Sequence, residues 1–129
     1  KKGYVRKKHL PVVHDTFLGN PQLPTACKLD TPYHFFKYFF TDTLISNIVE
    51  ETNTYVHIKN CNSNFCVSSK DIERFLGICI FSSIIPVPNI RMLWNNITGN
   101  PTVIETMPLN KFEKIRQYLH FNDNEKQVA

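Results

Sequence analysis

MPLNKFEKIRQYLHFNDN, residues 107–124, is the stretch that most constrains the fold. Phe112, Ile115 and Leu119 stand at positions i, i+3 and i+7, which is the spacing of one apolar helix face. The basic and amide side chains lie away from that stripe, at Lys111, Lys114, Arg116 and Gln117. The pattern predicts a helix over residues 109–120, with one face in the core and the other cationic, followed by an aromatic, amide-rich turn.

Two helices are predicted in the first half of the chain. Thr31 followed by Pro32 offers a hydroxyl cap and a proline at the first helical position. The helix that follows carries four phenylalanines, which we expect to lie in the core with Trp94: Phe35, Phe36, Phe39 and Phe40. Thr41 opens a second helix, whose apolar residues keep a 3.6-residue period up to the polar stretch 59–64.

A third, central helix is predicted to be buried and to end before Pro86. Ser68 and Asp71 have the spacing of a capping box, and the apolar residues after them, Ile80 and Ile84 included, keep helical spacing. Asn89 can cap a short fourth helix after a tight turn; helix pairs of this kind are more often plain corners than DNA-reading motifs. No segment alternates with period two, so we predict an all-α fold, a compact bundle of about four to six short helices.

Composition agrees with one packed domain. The 129 residues include ten Phe and five Tyr, which favour a folded core over disorder. The longest apolar run, residues 75–85, is shorter than the ~20 residues of a membrane-spanning helix, so we expect no membrane partner. The four cysteines include no CxxC pair, which favours a reduced, intracellular compartment.

Positive charge is concentrated at the amino terminus. The net charge is +4, but five of the fifteen lysines and arginines precede residue 9: Lys1, Lys2, Arg6, Lys7 and Lys8. The remaining ten bases face eleven acids, so the rest of the chain is nearly neutral. Such a tail suits a polyanion such as nucleic acid, because phosphate neutralisation releases counterions, and it equally suits a nuclear-localisation signal or a solvated linker end.

Residues 1–30 are predicted to be an extended, proline-containing linker, with prolines at Pro11, Pro21 and Pro24. We expect its apolar residues to pack onto a neighbour, and these are Leu10, Val12, Val13, Phe17 and Leu18.

Residues that could carry chemistry are few. His57, Cys61 and Cys66 give H-x3-C-x4-C, but a structural zinc site needs four ligands and no fourth is near in sequence. His120, at the end of the last helix, suits a structural role at the negative helix terminus or on a carbonyl. No carboxylates form an acid–base pair, so we assign no catalytic residue, no metal and no cofactor to this fragment.

Taken in order, these motifs resemble the amino-terminal part of a piggyBac-type transposase domain. The pattern opens with a proline and FxxFF at residues 32–40, continues with TNxY at 52–55, and then has FLG at 75–77. It continues with a proline before a helix that ends in tryptophan, which are Pro88 and Trp94 here. The last two motifs are a methionine ahead of an asparagine–basic–phenylalanine triplet and a terminal LHFxDN: Met107, Asn110, Lys111, Phe112, Leu119, His120, Phe121, Asp123 and Asn124. The resemblance covers residues 9–124.

Two positions depart from the family pattern. Pro108 stands where the family usually has a serine or another cap before the last helix. Lys111 stands where arginine is commoner, which keeps the charge but loses bidentate phosphate recognition.

The resemblance implies a division of labour. Related transposases cut and paste DNA with carboxylates on an RNase H-like sheet, which hold metal ions and lie downstream of LHFxDN. Their amino-terminal helical region serves dimerisation and transposon-end binding and is completed by a segment after the catalytic core, which would cover an apolar patch here. We therefore expect a linker over 1–30, a helical dimerisation and DNA-binding domain over 31–124, and over 125–129 the start of a linker toward a catalytic domain.

The expected function is non-catalytic binding of double-stranded DNA in the nucleus, with homodimerisation and with the remainder of the transposase fold as partners. Candidate phosphate-contacting residues are the bases of the tail and of the last helix: Lys1, Lys2, Arg6, Lys7, Lys8, Lys111, Lys114 and Arg116. The alternative is a domesticated module, kept for protein interaction or self-association, that no longer binds DNA. The nearly neutral charge outside the tail favours this alternative.

Overall fold

A computed structural model describes residues 29–122. Within that range there are five α-helices, a 3₁₀ helix and no strand: α1 Pro32–Phe39, α2 Asp42–Lys59, α3 Ser69–Ile84, the 3₁₀ helix Ile90–Trp94, α4 Pro101–Thr106 and α5 Leu109–Tyr118. The predicted all-α fold is confirmed, and α5 ends two residues before the predicted 120. The basic tail, nearly all of the predicted linker 1–30 and residues 123–129 lie outside the described residues.

Most of these helices begin at a side chain that accepts a hydrogen bond from their exposed backbone N–H groups. The hydroxyls of Thr31 and Thr41 each accept from the backbone N–H three residues later, at 3.2 Å. Ser68 and Asp71 form the predicted capping box, in which Asp71 Oδ2 accepts from the Ser68 N–H at 3.0 Å. Helix α5 differs because Pro108 occupies its cap position and provides no side-chain hydrogen bond.

Helices α2, α3 and α5 surround the core. The centre is Phe112, whose ring centroid lies 4.9 Å from that of Phe75 and 5.0 Å from that of Trp94. The Trp94 indole N–H also donates to the Met107 carbonyl at 2.7 Å, which ties the 3₁₀ helix to the start of α5. Trp94 therefore packs against the core as predicted. The other buried apolar residues are Ile45, Ile48, Val56, Val67, Ile72, Ile78, Leu93, Val103 and Ile115.

The phenylalanines of α1 do not enter this core, so that prediction was wrong. None of the residues of α1 is buried, and Phe35 and Phe39 are 42% and 66% exposed. Of the four, it is Phe40, just after the helix, that packs against the core. Aromatic residues lie on several sides of this eight-residue helix, so they cannot all face the core. The longer helices already enclose the core.

The carboxyl-terminal end of α3 also differs from the prediction of a buried helix. Ile80 and Ile84 are exposed, whereas Ile78 is buried and Phe81 packs against the core, so this end of α3 is covered on one face only. A lysine of α1 joins this helix to α2 and α3: Lys37 Nζ lies 2.5 Å from Asp42 Oδ1 and 2.9 Å from Glu73 Oε1. The two carboxylates hold the pKa of the Lys37 ammonium above its ordinary value.

Two neighbouring residues of α2 anchor two distant segments. The buried Thr52 hydroxyl accepts from the His120 N–H at 3.1 Å and donates to the His120 carbonyl at 3.3 Å. The Asn53 side chain accepts from the Val67 N–H at 2.9 Å and donates to the Val67 carbonyl at 3.1 Å. The His120 ring stacks on Tyr55, with centroids 3.9 Å apart. The His120 Nδ1 lies 3.3 Å from the Leu119 carbonyl oxygen, which confirms the carbonyl contact predicted for this side chain at the helix end. Helix α2 thus positions both the end of α5 and the loop before α3.

Candidate nucleic-acid interface

The basic side chains of α5 flank its core stripe instead of forming one continuous face. Phe112 and Ile115 point into the core, and the residues on either side of them fall on opposite edges of the helix. Lys111 and Lys114 lie beside the loop that precedes α3, whereas Arg116 lies beside the 3₁₀ helix. The structure therefore brings the two lysines together and places Arg116 apart from them.

Lys111 and Lys114 line a cleft of about 370 Å³, which we call the lysine cleft. Its other walls are Asn64, Phe65, Cys66, Pro108 and Asn110. Lys114 Nζ lies 5.6 Å from the centroid of the Phe65 ring, a cation–π distance. Among residues 29–122, no carboxylate forms an ion pair with Lys114. Its charge is therefore available to an anion in this cleft.

Lys111 is already paired inside the protein. Its Nζ donates to Asp71 Oδ1 at 2.7 Å, which joins α5 to the first turn of α3. Burial of Asp71 would raise the pKa of its carboxyl, but hydrogen bonds from Lys111 and Ser68 outweigh burial and hold that pKa below its ordinary value. The carboxylate is ionised near neutral pH, so it compensates the Lys111 charge. A lysine suffices at this position because the ion pair needs one charged donor.

Arg116 lines a second cleft, of about 390 Å³, together with Arg91, Glu113 and Gln117. We call it the arginine cleft. Arg91 Nε lies 2.5 Å from Glu113 Oε1, so these two charges compensate each other. No carboxylate in the described part of the chain pairs with Arg116. Burial raises the pKa of the Cys79 thiol, and the Arg116 charge partly opposes that rise.

Sequence reasoning did not find Arg91 as part of this surface. It is a single base in a short helix, and nothing near it in sequence suggests a partner. Only the packing of the 3₁₀ helix against α5 brings Arg91 to Glu113. The candidate bases Lys1, Lys2, Arg6, Lys7 and Lys8 lie outside the described residues.

The described residues offer no metal centre. Over residues 29–122, no three His, Cys, Asp or Glu side chains are grouped so that they could hold a metal ion. Cys61, Cys66 and Cys79 form no disulfide, and the first two are exposed. None of the helices in the same range is both long and apolar enough to cross a membrane.

Comparison with known proteins decides the family. A family model described as Transposase IS4, of the piggyBac type, matches residues 31–129. The chain belongs to the piggyBac-type transposase family. It is 35% identical over 96 residues to human PiggyBac transposable element-derived protein 2 and 33% identical to human PiggyBac transposable element-derived protein 3, covering 73% of this chain in each case. The chain spans 16% of the length of each of these relatives. No solved structure matches it.

Several of the residues that carry the family resemblance meet inside the fold. Thr52 and Asn53 of TNxY hold two loops, and Trp94, Met107 and Phe112 join the 3₁₀ helix to α5. The basic residue of the Asn–basic–Phe triplet forms the ion pair with α3 described above. These six motif residues therefore hold the helices together, whereas Phe39 and Phe121, which also belong to the motifs, are exposed. The unpaired bases of α5 are not motif residues.

Proposed function

We propose that residues 31–124 form a non-catalytic portion of a piggyBac-type transposase, or of its domesticated descendant, that binds the backbone of double-stranded DNA along α5. The observation that carries this proposal is the pair of exposed bases, Lys114 and Arg116, that lack a carboxylate partner among the described residues and stand at opposite edges of one helix. A helix about 10 Å wide fits the major groove, so bases at its two edges can contact phosphates on both sides.

Two further observations support this reading. The basic tail adds charge that would strengthen binding irrespective of DNA sequence. Several carboxylates that catalysis could otherwise use are engaged in ion pairs, and these are Asp42, Asp71, Glu73 and Glu113. We accordingly propose that DNA cleavage belongs to other parts of the parent protein, that the protein acts in the nucleus, and that the helical domain holds transposon-end-like DNA for an RNase H-like core.

The test is fluorescence anisotropy of a labelled duplex titrated with the full chain over a salt series. The double variant Lys114→Gln/Arg116→Gln removes both charges but keeps most of each side chain. Each lost phosphate contact lowers the slope of log affinity against log salt by about 0.9, so we expect a change of about 1.8. Arg74→Gln is the matched control, because Arg74 is exposed on α3 and faces α4.

Absence of binding at low salt would refute the proposal, and equal slopes for the double variant and the control would refute α5 as the contact. A variant with the five tail bases changed to glutamine separates the contribution of the tail. A nuclease assay with Mg²⁺ tests the non-catalytic assignment, which cleavage by the purified chain would overturn.

A second candidate function is protein interaction or self-association without DNA binding. The exposed aromatic residues of α1 favour it, because exposed aromatic side chains are typical of protein contact sites. Light scattering in parallel with the anisotropy series distinguishes the two. Dimers that show no DNA affinity would support this second function, and DNA binding, by dimers or by monomers, would support the first.

A further inference from the structure

Two amide side chains, those of Asn110 and Gln117, lie on the outward face of α5. The two residues are seven positions apart, which is two helical turns to within about 20°, so they stand on one line along the helix. That line is opposite the buried Phe112 and Ile115, and both amide residues are exposed. With α5 in the major groove, these side chains point toward the floor of the groove, where the base edges lie.

Neither amide is used inside the described part of the protein. Within residues 29–122, the side chains of Asn110 and Gln117 form no hydrogen bond. Asn110 does not cap α5 either, because the cap position is occupied by Pro108. Other asparagines in the same range differ, since their side-chain oxygens accept hydrogen bonds from backbone N–H groups: Asn53, Asn60, Asn89, Asn95 and Asn100. The donors and acceptors of the two α5 amides are therefore available to a ligand.

Each amide stands beside one of the two α5 bases that have no carboxylate partner in the described part of the chain. Asn110 and Lys114 line the lysine cleft, and Gln117 and Arg116 line the arginine cleft. The one acid of α5, Glu113, is engaged in an ion pair. The outward surface thus has positive charge at its edges and neutral hydrogen-bonding groups along its middle. A helix that reads DNA needs this division, because charged edges contact phosphates and neutral amides contact bases.

We propose that Asn110 and Gln117 each read an adenine in the major groove, an inference that rests on the DNA binding proposed above. A primary amide matches adenine there, since its carbonyl accepts from the exocyclic amino group while its NH₂ donates to ring nitrogen N7. Seven residues advance about 10.5 Å along the helix axis, and base pairs are spaced about 3.4 Å apart. The two adenines should therefore lie about three base pairs apart, on the same strand or on opposite strands.

Selection from a pool of duplexes with a randomised centre tests this proposal. The full chain is incubated with the pool, bound duplexes are sequenced, and affinities for the selected duplex are measured by anisotropy over a salt series. We expect adenine to be selected at two positions about three base pairs apart. Asn110→Ala should remove the selection at one position and Gln117→Ala at the other, each with a roughly 5- to 150-fold loss of affinity for the selected duplex. The matched control is Asn47→Ala, which removes an exposed amide from α2 and should keep both selected positions.

Substitution of 7-deazaadenine in the duplex tests which atom of the base is contacted. This base keeps its pairing edge but lacks N7, so it removes the acceptor to which the amide NH₂ would donate. At a selected position it should weaken binding by the parent chain and leave the affinity of the matching alanine variant unchanged. An equal loss in both proteins would assign the preference to the shape of the DNA and would overturn the proposal.

The salt series separates the base contacts from the DNA binding on which they rest. Neither alanine substitution removes a charge, so the slope of log affinity against log salt should equal that of the parent. Salt-dependent binding without adenine selection, or selection that survives both alanine substitutions, would overturn the base contacts without affecting the proposed phosphate contacts. Absence of binding to any duplex at low salt would instead refute the proposed function, and the base contacts with it.

Discussion

Replacing Thr52 with valine tests the anchor between α2 and the end of α5. Valine has the shape of threonine but no hydroxyl, so the His120 N–H and carbonyl lose the bonds of 3.1 and 3.3 Å that Thr52 provides. A buried polar group that loses its hydrogen bond costs about 1–3 kcal/mol. Because His120 is only half-buried, water can partly replace the bonds, so we expect each lost bond to cost about 1 kcal/mol.

The added methyl group offsets part of this loss. Thr52 is completely buried, so a methyl group in place of its hydroxyl contributes about 0.8 kcal/mol of additional apolar burial. The net expectation for Thr52→Val is a decrease of about 1–2 kcal/mol in the free energy of unfolding. For a domain of this size, that lowers Tm by roughly 5 °C or more.

Urea unfolding of the full chain, followed by circular dichroism, measures the global effect, and amide exchange at His120 measures the local one. Thr52→Ser is the control, since it keeps the hydroxyl and removes only a methyl group. We expect faster exchange at His120 in Thr52→Val and not in Thr52→Ser. A valine variant as stable as the parent to within about 0.3 kcal/mol, with unchanged exchange at His120, would refute the reasoning.

Two further predictions concern residues outside this anchor. Asp71→Asn weakens the capping box and the ion pair to α5, so we expect a loss of about 1–2 kcal/mol in unfolding free energy at pH 7. Because the pKa of Asp71 is lowered by folding, its contribution is fully present above the ordinary carboxyl pKa and is lost as pH falls through the folded-state pKa. The difference between parent and variant in urea unfolding should therefore begin to narrow below about pH 4 and narrow further as the pH falls, and equal differences at pH 7 and pH 3 would contradict this. For Gly99→Ala, the new Cβ would lie 2.1 Å from the Asn95 carbonyl oxygen, so the loop must shift and we expect a loss of about 1–3 kcal/mol. Thermal unfolding checks it against Thr98→Ala in the same loop, and a Tm no lower than that of this control would show that the loop adapts without cost.

The limits of the helices were predictable because they depend on neighbouring residues. Thr31, Thr41 and the Ser68–Asp71 box cap the helices that they were predicted to start. Pro86 follows α3 closely, as expected of a residue that cannot continue a helix. The anchoring role of Thr52 was missed, because a threonine inside an amphipathic helix looks local and its partner lies 68 residues away.

Which helix faces were covered could not be predicted from the sequence. The aromatic residues of α1 are of the types usually found in a core, but they become buried only if another element packs against them. The helical spacing of apolar residues does not show whether such an element is present. The same limit applies to α5. Its helical spacing already separates Arg116 from Lys111 and Lys114, yet only the tertiary structure shows that Lys111 is paired with Asp71. The number of free charges on a surface depends on contacts across the fold, not on the local count of bases.

The hydrogen bonds made by Thr52 and Asn53 of α2 also affect what can be concluded when a descendant of this family is recognised by its sequence. Thr52 and Asn53 belong to a motif by which the family is identified, and their hydrogen bonds hold the end of α5 and the loop before α3 against α2. Lys114 and Arg116, on which the proposed DNA contact depends, stand outside the identifying motifs. Selection for a stable fold would keep the first pair intact while the second pair drifted freely. A chain can therefore keep the sequence motifs of a transposase after it has lost the ability to bind DNA.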